Sequence, residues 1–177
     1  MPAIKILIVG PKEGGKSVIA NFLAESTDRL GNQERYQPTA GVRILESEKN
    51  LGRGQANLEF WDCSGDQIYE ACWPAILKDA NATILVYNPE SHVHESEVTL
   101  WWDLYEWFVQ NAGMEASQCL IFAHSPNKSA GRGKVNLPPN IKTVQTNYES
   151  PGILKSEFES FIMSIQDFIQ RQTRSRK

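Results

Sequence analysis

The sequence has few cysteines, no long apolar run and no excess of basic residues. Its three cysteines, Cys63, Cys72 and Cys119, are an odd number at no metal-ligand spacing, so we expect reduced thiols in an intracellular protein. The net charge of −3 argues against a nucleic-acid partner, for which a clustered basic surface is expected. No apolar run reaches roughly 18 residues, the length that a membrane-spanning helix needs.

Signals for membrane attachment are also lacking. Met1-Pro2 does not fit N-myristoylation, no cysteine follows Cys119, and we find no signal peptide. With 177 residues, of which 41% are hydrophobic, the chain can build one core. We therefore expect a cytoplasmic protein with no direct lipid anchor, monomeric outside any complex, with a single domain over residues 1–171 and a basic tail over 172–177.

What the sequence does contain is a phosphate-binding loop. The apolar stretch Ile4–Val9 leads into the run Gly10-Pro11-Lys12-Glu13-Gly14-Gly15-Lys16-Ser17, and a helical pattern begins at Val18. In this pattern the backbone N–H groups and the helix N-terminus face a β-phosphate, the lysine reaches the β- and γ-oxygens, and the serine ligates Mg²⁺. The predicted phosphate-binding residues are Glu13, Gly14, Gly15, Lys16 and Ser17.

Apolar segments of strand length recur along the chain, with helical patterns between several of them. The predicted strands are Ile4–Gly10, Val42–Leu45, Leu58–Asp62, Ala82–Asn88, Gln118–His124 and Ile141–Gln145. This alternation predicts an α/β fold with a mostly parallel sheet, helices on both faces, and ligands at the carboxyl ends of the strands. The predicted helices include Glu95–Asn111, which is rich in tryptophan, and the amphipathic Ile153–Arg171. Lys49–Gln55 reads as a hairpin tip and Ser125–Asn140 as a loop.

Two further segments carry groups suited to a metal-bound phosphate. Asp62 ends a predicted strand within Asp-x-x-Gly, so its carboxylate can hold Mg²⁺ through a water and the N–H of Gly65 can bond a γ-phosphate. Thr39 lies between this motif and the phosphate loop, and its hydroxyl suits the metal while its N–H suits the phosphate. Ser17, Thr39 and Asp62 are therefore the candidate magnesium ligands.

These three motifs, in this order and spacing, resemble the Rab-like small GTPases of the Ras superfamily over nearly the whole chain. The segments Ala40–Glu46, Trp61–Asp66 and Cys72–Ala75 are similar to the Rab-like subunits of the intraflagellar transport B complex. The resemblance implies a P-loop small G-protein fold with about six strands, and GTP or GDP with Mg²⁺ as cofactors. It also implies a role in cilium or flagellum assembly, a location at the cilium or flagellum and basal body, and partners among the other B subunits, including coiled-coil proteins.

The chain departs from the family pattern where hydrolysis is concerned. The family usually has glutamine directly after the Asp-x-x-Gly glycine to orient the attacking water, but here Asp66 occupies that position and Gln67 follows it. A carboxylate there repels a γ-phosphate, and Lys12 replaces a small residue in the phosphate loop. The resemblance makes Asp66 and Gln67 the candidate catalytic residues, and we expect slow intrinsic hydrolysis.

The base-recognition motif also departs. The family has Asn-Lys-x-Asp after the fifth strand, where this chain has His124-Ser125-Pro126-Asn127; a shifted alignment on Asn127-Lys128 puts Ala130 at the aspartate position. Either way the carboxylate that selects guanine is missing, which weakens guanine preference by roughly 1–3 kcal/mol. The later loop Thr146-Asn147-Tyr148 matches the family only loosely. The candidate base-side residues are His124, Ser125, Asn127, Lys128, Thr146, Asn147 and Tyr148.

The family's helix between the fifth and sixth strands is expected to be reduced or missing, with the loop Ser125–Asn140 in its place. We hypothesise that this flank of the sheet, or the tryptophan-rich helix, docks a partner. Three functions remain open: a nucleotide-stabilised subunit with slow or no hydrolysis, an active GTPase switch with assisted turnover, and a nucleotide-independent scaffold. A metabolic phosphotransferase is disfavoured, because no Arg-rich lid follows the core and a kinase does not need the Thr39 and Asp-x-x-Gly pair.

Overall fold

The computed structural model describes residues 3–31, 37–51, 54–91, 93, 113–126 and 140–175. They contain the strands β1 (Ile4–Val9), β2 (Val42–Asn50), β3 (Gln55–Cys63), β4 (Ala82–Tyr87), β5 (Cys119–Ser125) and β6 (Lys142–Asn147). These strands form a six-stranded sheet in the order β2-β3-β1-β4-β5-β6. β2 runs antiparallel to β3, and every other neighbouring pair is parallel. The predicted six-stranded, mostly parallel sheet is confirmed.

Helices cover both faces of this sheet. Those in the described residues are α1 (Lys16–Leu23), α2 (Trp73–Leu77) and α3 (Pro151–Ser175). Short 3₁₀ helices lie directly before α2, at Gln67–Cys72, and directly before β5, at Ala116–Gln118. Successive side chains of β1 alternate between the faces, because the side-chain period of a strand is two. One cluster combines the isoleucines of β1 with α1 and α3, and the other combines Leu7 and Val9 with α2.

Helix α3 is longer than the pattern predicted. It begins at Pro151 rather than Ile153 and continues to Ser175 rather than Arg171, and residues 171–174 are exposed. Its buried side chains are Leu154, Phe158, Phe161, Ile162 and Ile165, which recur at helical spacing and pack on the sheet. In the described part of the chain, every helix is too short or too polar to cross a membrane.

The β2–β3 hairpin also extends beyond its predicted length. β2 continues to Asn50 and β3 begins at Gln55, with the turn closed by a bond from Leu51 N to Gly54 O of 3.2 Å. The added residues are largely polar and exposed, so they carry no hydrophobic signal, whereas the backbone ladder continues along them. The predicted hairpin tip between the two strands is confirmed.

The cysteines in β3 and β5 are interior. Cys63 and Cys119 are buried, and burial raises the pKa of both thiols to about 12. Cys72 is exposed at the end of a 3₁₀ helix. Cys119 begins β5, one residue after the start of the predicted strand Gln118–His124.

Several predictions fall outside the described residues. They concern the helix Glu95–Asn111, the loop between β5 and β6 with its expected lack of a helix, the base-side candidates Asn127 and Lys128, and residues 176 and 177 of the basic tail. The hypothesis that the tryptophan-rich helix or this flank docks a partner also depends on them. The division into residues 1–171 and 172–177 stays a prediction.

Candidate nucleotide-binding site

A cavity of about 1030 Å³ opens at the carboxyl ends of the parallel strands. Its walls are the loops that follow β1, β3 and β6, the segment before β2, and residues that follow α1. Ligand pockets in proteins are commonly about 300–1,000 Å³, so the cavity has room for a nucleotide. The sequence-predicted residues that line it are Glu13, Gly14, Gly15, Lys16, Ser17, Thr39, Gly65, Asp66 and Tyr148.

The phosphate loop, residues 10–17, forms one wall of the cavity. Gly15 precedes α1 with φ of 92°, in the left-handed region, so the loop reverses directly into the helix. The Lys16 side chain is buried, and its Nζ donates to the carbonyl oxygen of Pro11 at 2.6 Å. This contact folds the ammonium back over the loop. A positive charge and the α1 N-terminus therefore lie together at the cavity, which is the arrangement that anions bind.

The three candidate magnesium ligands meet beside this loop. Ser17 Oγ lies 3.0 Å from Thr39 Oγ1, and Thr39 Oγ1 donates to Asp62 Oδ2 at 3.3 Å. We call these three oxygens the metal triad; they come from α1, the segment before β2, and β3. Mg²⁺ prefers hydroxyl and carboxylate oxygens of this kind. Asp62 is fully buried, and its Oδ1 has no hydrogen-bond partner among the described residues, which fits a carboxylate that bonds a metal-bound water.

Arg43 lies beside the metal triad and was not among the residues predicted from the sequence. Its Nη2 lies 3.1 Å from Asp62 Oδ2 and donates to Asn21 Oδ1 at 2.8 Å. Arg43 and Asp62 are directly opposite in the β2–β3 ladder, so their side chains share a face of the sheet. The contact could have been predicted from the register of the hairpin. If Asn50 pairs with Gln55 at the turn, the same antiparallel register pairs Arg43 with Asp62.

The two candidate catalytic residues differ in their placement. Asp66 lines the cavity, and its two oxygens are engaged: Oδ2 lies 2.7 Å from Lys12 Nζ, and Oδ1 accepts from the N–H of Ile68 at 3.2 Å. The hydrogen bond from Lys12 is the main cause that lowers the pKa of Asp66, and the bond from Ile68 adds to it. Gln67 is exposed and does not line the cavity. The ion pair between Lys12 and Asp66 was not predicted from the sequence.

Gly65 packs directly against the phosphate loop. A Cβ atom at this position would lie 2.5 Å from the Lys12 nitrogen and 2.6 Å from the Pro11 carbonyl carbon. Only glycine fits this approach, because the neighbouring atoms belong to backbone. The segment after β3 therefore touches the loop that follows β1, where the predicted γ-phosphate contact of Gly65 would form.

His124 lies behind the phosphate loop rather than in the cavity wall. Its Nδ1 is 2.9 Å from Thr146 Oγ1, and a Cβ at Gly15 would lie 2.9 Å from its ring. Burial lowers the pKa of His124 to about 4, so the ring is neutral at physiological pH. His124, Ser125 and Thr146 are buried and do not line the cavity, and Asn147 Oδ1 accepts from the N–H of Glu149 at 3.0 Å. Their role as base contacts stays a prediction.

Tyr148 supplies an aromatic wall at the predicted base side. Its ring meets His124 edge-on, with 4.9 Å between the ring centroids and 87° between the planes. A Cβ at Gly31 would lie 2.5 Å from Tyr148 Cδ1, so the ring covers that backbone. Tyr148 thereby connects the cavity to the buried histidine and, through it, to the phosphate loop.

The chain is similar in sequence to a family of Ras-like domains and to several characterised proteins. Residues 5–125 match the family model described as Ras of Complex, Roc, domain of DAPkinase. The chain is 41% identical over 172 residues to intraflagellar transport protein 22 homolog of Homo sapiens, with 91% of this chain and 89% of that protein covered. It is 31% identical over 147 residues to intraflagellar transport protein 22 of Chlamydomonas reinhardtii, with 82% of this chain and 74% of that protein covered.

Solved structures that are similar to this chain come from the same group of proteins as these relatives. A chain of the T. brucei IFT22/74/81 GTP-bound crystal structure is 28% identical, with a TM-score of 0.67 over 93% of this chain and 97% of that one. The T. brucei IFT22 GTP-bound crystal structure is 27% identical, with a TM-score of 0.64 over 92% of this chain and 94% of that one. The P-loop small G-protein fold predicted from the sequence is confirmed.

Proposed function

The chain belongs to the intraflagellar transport protein 22 family of Rab-like small GTPase domains, and we propose that it binds GTP with Mg²⁺ as a subunit of the intraflagellar transport B complex. The metal triad beside the phosphate loop carries this proposal, because it brings three oxygens suited to Mg²⁺ to the place where the loop binds phosphates. Two similar T. brucei chains were crystallised bound to GTP. The proposed phosphate contacts are Glu13, Gly14, Gly15, Lys16, Ser17, Thr39 and Gly65.

Each group in the site has a distinct proposed role. Ser17 and Thr39 ligate the metal through their hydroxyls, and Asp62 holds it through a water. Bound Mg²⁺ neutralises charge on the β- and γ-phosphates. Lys16 leaves the Pro11 carbonyl for phosphate oxygens, since a charge-assisted bond to phosphate is stronger than a bond to a neutral carbonyl. The ring of Tyr148 stacks on the base.

We further propose that hydrolysis is slow. Asp66 stands where the family has glutamine, and its two oxygens are bonded to Lys12 and to the N–H of Ile68. No amide is therefore offered at this position to align a water, and Gln67 is exposed outside the cavity. The domain then holds GTP for long periods and works as a binding subunit.

The proposed docking surface lies beside the site. Ile44 on β2 and Ile68 after β3 are 47% and 75% exposed, and each lies a few residues beyond a metal-triad or phosphate contact. In this proposal, GTP bound at Thr39 and Gly65 contacts the segments that lead to both side chains. We propose that the two subunits corresponding to 74 and 81 of the T. brucei complex, as coiled-coil partners, dock here at the cilium or flagellum and basal body.

Nucleotide content tests the proposal directly. The protein is purified and denatured, and the released nucleotide is identified and counted by anion-exchange chromatography. We expect stoichiometric GTP in the wild type and in the exposed-lysine control Lys78→Ala, and none in Lys16→Ala. Stoichiometric GDP would favour an active switch, and an empty site in a chain that still assembles would favour a nucleotide-independent scaffold.

Co-purification with the two partner subunits tests the docking surface. We expect Ile68→Asp to abolish co-purification while nucleotide content stays at one equivalent. The matched control is Ile153→Asp, which places the same charge on another exposed isoleucine, 49% exposed, on α3. Equal retention of both variants would contradict the proposed surface.

A further inference from the structure

The carboxylate of Asp62 already has a cation beside it. Asp62 is fully buried, and the guanidinium of Arg43 lies 3.1 Å from its Oδ2. A buried carboxylate without a cation is costly, because the protein interior solvates charge poorly. Arg43 therefore compensates this charge before any metal ion enters.

The guanidinium and the metal triad share one oxygen. Oδ2 of Asp62 accepts from Thr39 Oγ1 at 3.3 Å and from Arg43 Nη2 at 3.1 Å. A divalent cation at the triad would lie within a few ångströms of Nη2, and like charges at such a distance repel strongly outside bulk water. Mg²⁺ and the observed position of Arg43 are therefore in competition.

Two features decide how Arg43 responds to a metal ion. Asn21 Oδ1 on α1 accepts from the same Nη2 at 2.8 Å, which holds the guanidinium over Asp62. The Arg43 side chain is 42% exposed, so the guanidinium can rotate into solvent without leaving a cavity in the core. Arg43 is therefore held over Asp62 by a hydrogen bond, and its partial exposure gives it a path into solvent.

We infer that Arg43 is a resident cation at the magnesium site, which weakens Mg²⁺ binding and makes nucleotide binding less dependent on Mg²⁺. This inference rests on the proposed GTP site. In the metal-free state Arg43 neutralises Asp62 next to the phosphates, so the nucleotide meets less repulsion than a bare carboxylate would cause. When Mg²⁺ binds, the ion must displace Arg43, and part of its binding energy is lost in that exchange.

The test compares the affinity for a fluorescent GTP analogue at saturating Mg²⁺ and in chelator. The ratio of the two dissociation constants measures metal dependence. We expect this ratio to be at least about tenfold larger in Arg43→Gln than in the wild type, from the typical strength of a charge-assisted hydrogen bond. Arg43→Lys keeps a cation and should retain a ratio near that of the wild type. Arg174→Gln removes the same charge from an exposed position on α3 and should leave it unchanged.

Metal affinity gives an independent readout that needs no hydrolysis. Mn²⁺ binding to the nucleotide-loaded chain, followed by electron paramagnetic resonance, should be about tenfold tighter in Arg43→Gln. Asn21→Ala, which removes the tether and keeps the charge, should shift the Mn²⁺ affinity in the same direction by a smaller factor. If Arg43→Gln fails to fold, the Mn²⁺ affinity of Asn21→Ala still tests the inference.

The outcomes separate the two proposals. An equal metal dependence in the wild type, Arg43→Gln and Asn21→Ala, with nucleotide bound in all three, would overturn the role of Arg43 and leave the GTP site standing. A wild type that binds no nucleotide at any Mg²⁺ concentration would instead overturn the proposed function. Tighter Mn²⁺ binding in Arg43→Gln, with Arg43→Lys close to the wild type, would support the inference.

Discussion

The ammonium of Lys12 and the carboxylate of Asp66 form an ion pair, with 2.7 Å between Nζ and Oδ2. The pair joins the phosphate loop to the segment after β3, at the position where the sequence departs twice from the family pattern. Both side chains are partly exposed, so the pair adds little stability. Its consequence is electrostatic: each unusual residue neutralises the other, and neither acts on the cavity as an isolated charge.

The first prediction concerns hydrolysis. Asp66→Gln should raise the single-turnover rate of GTP hydrolysis by about tenfold, because an amide can align a water that the bonded carboxylate cannot, and because Lys12 is released toward the phosphates. The rate is measured on GTP-loaded protein after a single addition of Mg²⁺. Asp66→Asn is the matched control, since it removes the charge with a shorter amide and should give a smaller gain. A rate in Asp66→Gln equal to that of the wild type would contradict this role.

The second prediction concerns the pH dependence of stability. The pKa of His124 is about 4 in the folded chain and about 6.5 when unfolded, so the unfolded state takes up a proton between these values while the folded state does not. The stability that this residue contributes is full above pH 6.5 and is lost as the pH falls toward 4. The loss should reach about 1.4 kcal/mol per pH unit. It should be absent from His124→Asn.

Chemical denaturation between pH 4.5 and 7.5, on the wild type and His124→Asn, measures this difference. Every other titrating group is common to both chains, so subtraction isolates the histidine. Parallel profiles for the two proteins would mean that the ring is accessible to protons in the folded state, against its burial between Gly15 and Thr146.

The third prediction concerns the contact between Gly65 and the phosphate loop. Gly65→Ala should lower the free energy of unfolding by about 1–3 kcal/mol, because its Cβ would overlap backbone atoms of Lys12 and Pro11. It should also weaken nucleotide binding. Gly152→Ala is the control, since nothing lies within 4 Å of its Cβ position, and this helical position should gain roughly 0.5–1 kcal/mol. Urea denaturation without nucleotide measures the free energy of unfolding of both variants, and an unchanged value for Gly65→Ala would contradict the prediction.

The fourth prediction concerns the aromatic wall. Tyr148→Phe keeps the ring and should bind nucleotide within about twofold of the wild type, whereas Tyr148→Ala should lose about tenfold, the lower range of aromatic stacking on a base. Fluorescent nucleotide titration measures both. Because Tyr148 also packs on His124, a thermal melt of each variant separates loss of stacking from loss of fold. If Tyr148→Phe bound nucleotide as weakly as Tyr148→Ala, the affinity would depend on the hydroxyl rather than on stacking of the ring.

The sheet was predictable where burial alone determines a strand. β1, β4 and β5 are buried along their whole length, and their apolar runs predicted their positions within one or two residues. The outer parts of β2 and β3 escaped prediction because their exposed polar residues are held by the backbone ladder, which has no signature in side-chain hydrophobicity.

The site was predictable in its motifs and not in its ion pairs. The structure brings the phosphate loop, Thr39 and Gly65 to one cavity, and their motifs were readable because close backbone approach and metal chemistry require particular residues at particular spacings. Their contacts with nucleotide stay a prediction. The contacts of Arg43 with Asp62 and of Lys12 with Asp66 depend on strand register and on two loops that meet in space. The position of His124 was not readable either: its alignment suggested a base contact, which stays a prediction, whereas its packing behind Gly15 depends on the tertiary fold.

The sheet order has a consequence for how the chain reaches its native state. β1 lies between β3 and β4, so Ile4 pairs with Leu58 and Ile6 with Ala82, whereas β2 and β3 pair across a short turn. Non-local pairings of this kind slow folding. During synthesis the phosphate loop leaves the ribosome before β3 and β4, and β1 is paired on both sides only after β4 has followed. We therefore expect the nucleotide to encounter a folded pocket only after β4 has been made.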